Sequence, residues 1–112
     1  MDPITLLVGG ALAAAFVAGG SDTYSYTPPS GGKYRFQLRE VNGEWRAYIL
    51  EQPGYAGRAS DGHSSHRYYD SARSQYYVCW EPAPRTKEAA RAVSKLWAEK
   101  TTRYCRHGAS FA

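Results

Sequence analysis

Basic residues are absent from the first 32 positions: neither Lys nor Arg precedes Lys33. From Pro3 to Gly20 the chain reads PITLLVGGALAAAFVAGG and holds no charged side chain. A cleaved secretory signal normally opens with a basic region, so its absence counts against that reading. Cysteine is scarce, with only Cys79 and Cys105 in 112 residues. His63 and His66 form H-x-x-H, and Cys105 to His107 form C-x-H. Neither spacing fits a zinc site, which pairs C-x₂₋₄-C with H-x₃₋₅-H or with a second Cys pair. No metal or other cofactor is therefore expected. No activated-nucleophile or paired-carboxylate motif is present, so no catalytic residue is assigned. Internal repeats are absent as well.

What is there begins with the uncharged run itself. At about 18 residues it reaches the lower limit for a membrane-spanning helix, and residues 1–21 are expected to be a transmembrane anchor. Gly and Ala dilute its apolarity, and 17 helical residues extend only roughly 25 Å. Tyr24 and Tyr26 suit the headgroup level. Gly9–Ala13 and Gly10–Ala14 place small residues four apart, a spacing that lets helices associate closely. Two alternatives stay open: a signal segment cleaved near Ala13-Ala14-Ala15 or Val17-Ala18-Gly19, and a buried or filament-forming helix. Lys33, Arg35 and Arg39 follow the run, which places the C-terminal domain in the cytoplasm by the positive-inside rule. Signal cleavage would instead export it.

Residues 22–32 are rich in Pro, Ser, Thr and Gly and read as a linker. Residues 33–112 then form one small domain. It carries all 14 Lys and Arg but only 8 acids, because Asp2 and Asp22 lie outside it, so it is distinctly basic. A basic domain suits an anionic partner, either nucleic acid or acidic lipid head groups. Ten tyrosines add the residue type that offers large contact area at low entropic cost.

KYRFQLREV-NG-EWRAYILE is two strand-like runs around Asn42-Gly43, the dipeptide that a type I′ hairpin turn favours. A two-residue loop fixes the register, with Val41 facing Glu44, Arg39 facing Arg46, Leu38 facing Ala47 and Phe36 facing Ile49. Tyr34, Phe36, Leu38, Trp45, Ala47 and Ile49 then share the core face. Arg35, Gln37, Arg39, Arg46, Tyr48 and Leu50 share the other. Arg39 and Arg46 repel at such a distance, which calls for an anion or for solvent between them. A third strand is expected at Gln75–Trp80. Thr86 is an N-cap for a helix from Lys87 to about Arg106, which Gly108 ends. Its periodicity predicts Ala89, Val93, Leu96, Trp97 and Tyr104 facing inward.

Between the second and third strands lie about 23 residues, Gln52 to Ser74, long for a loop without structure of its own. Arg58, His63, His66, Arg67 and Asp70 make it the candidate functional loop, with acid–base catalysis by the histidines as one option. Cys79 should point away from the helix, so a bridge to Cys105 is not expected.

Tyr34-Arg35, Gly43-x-Trp45-x-Ala47 and Thr86-x-Glu88-Ala89-Ala90-Arg91-Ala92 together resemble the three-stranded-sheet-plus-helix DNA-binding domain of plant ethylene-response factors. The arrangement is similar also to the arm-binding domain of tyrosine recombinases. That resemblance implies that the sheet face away from the helix lies in the DNA major groove, with Arg35, Arg39, Arg46 and Tyr48 at the contacting positions. The long loop and the apolar N-terminal run depart from both families.

The expected fold is thus α+β: an N-terminal transmembrane helix, then a three-stranded antiparallel sheet packed by one C-terminal helix. The expected function is a membrane-tethered binding module whose outer sheet face meets an anionic partner. One alternative is an assembly subunit that self-associates through its Gly/Ala-rich N-terminal helix. Another is a small His-dependent hydrolase.

Overall fold

The computed structural model describes residues 22–111. It contains β1 (Thr23–Tyr26), β2 (Tyr34–Val41), β3 (Glu44–Glu51), the one-turn helix α1 (Gly62–Ser65), β4 (Arg67–Asp70), β5 (Gln75–Val78) and α2 (Lys87–His107). The strands form one antiparallel sheet in the order β1-β2-β3-β5-β4. The sheet therefore has five strands, not three. The expected transmembrane helix falls in residues 1–21, outside the described residues. No helix among those described is long and apolar enough to cross a membrane.

The central hairpin follows its turn. Asn42 and Gly43 both take positive φ (53° and 83°), the conformation a type I′ turn needs. The pairs Phe36–Ile49, Leu38–Ala47, Arg39–Arg46 and Val41–Glu44 all form. A bulge between Arg35 and Phe36 then shifts the register and sets Arg35 against Glu51. Tyr34, Phe36, Leu38 and Ala47 are buried under α2, with Trp45 and Ile49 at the margin.

The helix starts at its expected cap, where the Thr86 side chain accepts from the Ala89 amide at 3.0 Å. It ends at Gly108, in the left-handed region at φ 72°. Its inward face is rotated from the apolar stripe that periodicity predicts. Ala90, Ser94, Trp97, Ala98, Thr101, Thr102 and Cys105 are buried, while Leu96 is 43 % exposed. The physical reason lies in the sheet, whose inner face is built from Tyr24, Tyr34 and Phe36. Rings of that size leave room for small residues opposite them, and Trp97 is the one large helix residue that fits between. Its ring meets Tyr34 and Phe36 edge-on at 5.9 and 6.0 Å.

The segment read as a linker is built into this packing. Its residues form β1, which pairs Tyr24 with Phe36 and Tyr26 with Tyr34. Tyr24 donates to the Arg91 carbonyl and bonds the Ser94 hydroxyl. Pro28 is buried. The Ser30 hydroxyl donates to Glu99 at 2.9 Å, and Arg106 donates to the Ser30 carbonyl at 2.6 Å. Thr102 donates to the Gly31 carbonyl at 2.8 Å.

The region from Gln52 to Ser74 is likewise ordered by its own polar groups. Asp61 caps α1 and Ser65 is buried, with its carbonyl accepting from the Trp97 indole at 3.0 Å. His66 turns the chain at φ 54°, and β4 then pairs with β5 as a hairpin at the sheet edge.

Candidate functional site

The outer sheet face, away from α2, is built from alternate residues of four strands. β2 supplies Arg35 and Arg39, β3 supplies Arg46 and Tyr48, β5 supplies Tyr77, and β4 supplies Tyr68 and Asp70. Cross-strand pairing aligns Tyr48 with Tyr77 and Tyr77 with Tyr68, and the rings meet at 5.5 Å in each case. Arg46 lies over the Tyr77 ring at 4.3 Å, and Arg73 lies over Tyr48 at 5.5 Å. These cover Tyr48 completely, although it belongs to the outward face of β3.

Asp70 organises this surface. Its Oδ2 accepts from the Tyr48 hydroxyl at 2.6 Å and from Arg46 Nη1 at 3.2 Å. Its Oδ1 accepts from the amides of Ala72 and Arg73 and so shapes the turn into β5. The Tyr48 bond, with help from those amides and from Arg46, holds the Asp70 carboxyl below the usual carboxylate range. Burial, reinforced by Asp70, pushes the Tyr48 hydroxyl up, so it stays a donor.

The arginines expected to form one cluster are therefore in three different states. Arg46 is neutralised by Asp70, which answers the Arg39–Arg46 repulsion from within the chain. Arg35 pairs weakly with Glu51, at 3.8 Å between exposed side chains. Arg39 has no carboxylate partner among the described residues. The acids that meet these arginines are Glu51, brought opposite Arg35 by the bulge, and Asp70, brought in by β4.

The residues of the candidate loop do not converge. Arg58 donates to the Cys105 carbonyl at the end of α2. His63 is exposed on α1. His66 stacks on Phe111 at 4.4 Å, and burial, together with His63 and Lys100, lowers its pKa. Arg67 stacks on Tyr76 at 3.8 Å and donates to Ser65, Gln52 and the Ser60 carbonyl. Asp70 faces the outer sheet surface. Four of these five side chains hold the segment to the body of the domain. Among the described residues no three His, Cys, Asp or Glu side chains gather in a way that would hold a metal ion. Both thiols are free, and burial pushes Cys105 up.

At one end of the outer face lies a cavity of about 220 Å³, bordered by Glu44, Arg46, Tyr68, Tyr77, Trp80 and Glu81. The Tyr68 hydroxyl donates to Glu81 at 3.2 Å. The nearby Cys79 thiol comes first, ahead of burial and then of Glu81, in pushing Tyr68 up to about 12. The Arg46 Nε is buried without a hydrogen-bond partner. Tyr68, Tyr77 and Arg73 had no place in the expected site. The signal for them was two Tyr-Tyr pairs flanking a short polar turn, in RYYDSARSQYYV, which is the pattern of a second hairpin.

No family model, curated protein or solved structure matches this chain.

Proposed function

We propose that the chain is a membrane-associated binding module whose outer sheet face takes nucleic acid. The observation that carries this reading is Arg39: it stands directly across from Arg46, and of the two only Arg46 has a counter-ion among the described residues. A phosphate is the natural anion for the open cation. Tyr68, 43 % exposed on the same face, offers a ring on which an unpaired base stacks, which favours single strands. Arg35, Arg73 and Tyr48 flank or support that surface. The likeness to sheet-plus-helix DNA-binding domains points to the same face, although this sheet has two further strands.

The test is a titration of the full chain with single-stranded DNA, RNA and duplex DNA at two salt concentrations. Binding should weaken steeply with salt. Arg39→Gln should lower the salt slope by roughly one unit, and Tyr68→Ala should weaken single-strand binding by about 1–3 kcal/mol. Binding no stronger than that of an uncharged polymer would remove this reading.

A further inference from the structure

The basic side chains of α2 form a second surface, distinct from the outer sheet face. Lys87, Arg91 and Lys95 recur every four residues, so they stand one above another along one side of the helix. Each lies over an aromatic ring of the adjoining strands: Lys87 over Trp45 at 5.6 Å, Arg91 over Tyr24 at 4.3 Å and Lys95 over Tyr26 at 5.5 Å. Lys87 is neutralised by Asp22 at 2.7 Å. Arg91 and Lys95 have no carboxylate partner among the described residues. Next along this edge, Tyr26, Pro29, Lys95, Leu96, Glu99 and Arg103 border an open groove of about 510 Å³. Glu99 is occupied there by Ser30 and Arg103. Leu96 is the one exposed large aliphatic side chain of the described residues.

We infer that this β1–α2 edge is the surface with which the domain rests on an anionic lipid bilayer. Three independent features agree. The residue types are those of the membrane–water interface, where Trp and Tyr rings sit at headgroup level and Lys and Arg reach acidic lipids. Leu96 and Pro29 add an apolar contact between the cations. The third feature is the place where the chain enters. Asp22, bonded to Lys87 at the head of the stripe, is preceded in the sequence by the uncharged run Pro3–Gly20. Asp22, two residues after that run, therefore sits at this edge and not at the outer sheet face. The surface acts by charge, so it distinguishes acidic from neutral lipid. It also leaves Arg39 and Tyr68 free, so it holds whether or not the outer face takes nucleic acid.

The experiment is flotation of the full chain with phosphatidylcholine vesicles that contain 0, 15 or 30 % phosphatidylserine. The apolar run is expected to give a baseline common to all variants. The gain with phosphatidylserine should shrink about fivefold for each cation removed in Arg91→Gln and Lys95→Gln. Lys95→Gln touches no buried group and guards against a folding artefact. Arg39→Gln should leave the gain unchanged. The inference is overturned if the double variant keeps the full gain, or if Arg39→Gln abolishes it. It is equally overturned if Leu96→Ser does not alter vesicle binding but dissociates a lipid-free dimer, which would give this face to a second copy of the chain.

Discussion

The hydroxyl of Tyr48 donates to the carboxylate of Asp70 at 2.6 Å, and this bond joins the middle of the sheet to its edge strand. The ionised carboxylate is the better acceptor, so the bond favours the charged form of Asp70. A carboxyl held below its ordinary value contributes stability that is complete above about pH 4 and is lost as pH falls through its folded-state value. Tyr48→Phe removes the first cause of that shift. The variant should be less stable than wild type at pH 7 and closer to it at pH 3, measured by urea midpoints. A constant gap at both values would show that the bond does not couple to titration. Glu99 and Asp61 are also held low and add to the acid sensitivity.

Trp97 should be the most costly core position. It is fully buried between Tyr34 and Phe36, and its indole N–H holds the Ser65 carbonyl. Trp97→Ala should destabilise by roughly 3–5 kcal/mol. Trp97→Phe keeps much of the ring but strands a buried carbonyl, at about 1–3 kcal/mol. Leu96→Ala, one residue away on the exposed side, should change stability by less than about 0.5 kcal/mol. Thermal or urea unfolding ranks all three, and a Leu96 effect as large as that of Trp97 would mean the helix face is turned.

Two glycines with positive φ should respond unequally. Gly43, at φ 83°, has open space around an added methyl, so Gly43→Ala meets only backbone strain, about 1–2 kcal/mol. Gly32, at φ 95°, would place that methyl 2.9 Å from Thr102 Oγ1 and 3.1 Å from Pro53. Gly32→Ala should therefore cost clearly more, by about a further 1–3 kcal/mol of overpacking. Equal denaturation midpoints for the two variants would contradict the seating of the chain against α2.

His66 is held below its ordinary pKa, first by burial against Phe111. A base whose folded value is lowered prefers to stay neutral in the folded state. Its contribution is complete above about pH 6.5 and is lost as pH falls through the folded value. Wild-type stability should thus begin to decline between pH 7 and 5. In His66→Asn, a residue that tolerates the same left-handed backbone, the decline over that range should flatten. Urea midpoints at pH 7.5, 6.5 and 5.5 give the comparison, and parallel slopes would exclude His66 as the titrating group.

The hairpin, its register and the limits of α2 were legible because each rests on local chemistry: Asn42-Gly43, Thr86 and Gly108 act within a few residues of themselves. β1 and β4 were not. TYSY and RYYD are four-residue strands without aliphatic residues, and their pairing is decided by partners distant in sequence. The inward face of α2 was readable at Trp97, Val93 and Tyr104, but Leu96 was misplaced and the small buried residues were missed for a related reason. Ser94, Thr101 and Thr102 look polar along the helix, and only the rings of β1 and β2 show why small residues belong there. In the outer face the Arg39–Arg46 opposition was readable from the turn. Its internal answer, Asp70, lies 24 residues beyond Arg46, and no local pattern announces that meeting.

The stitching of β1 to α2 has a consequence for how the protein comes into being. β1 pairs with β2, but it is fastened to the body of the domain by α2, through Tyr24 and Ser94, Asp22 and Lys87, Ser30 and Glu99. Until α2 has been made, the nascent sheet has one bare face lined by Tyr34, Phe36 and Leu38. Such surfaces are where incomplete chains adhere to one another. Contacts this distant in sequence are also slow to close. The domain is therefore completed late and as a whole.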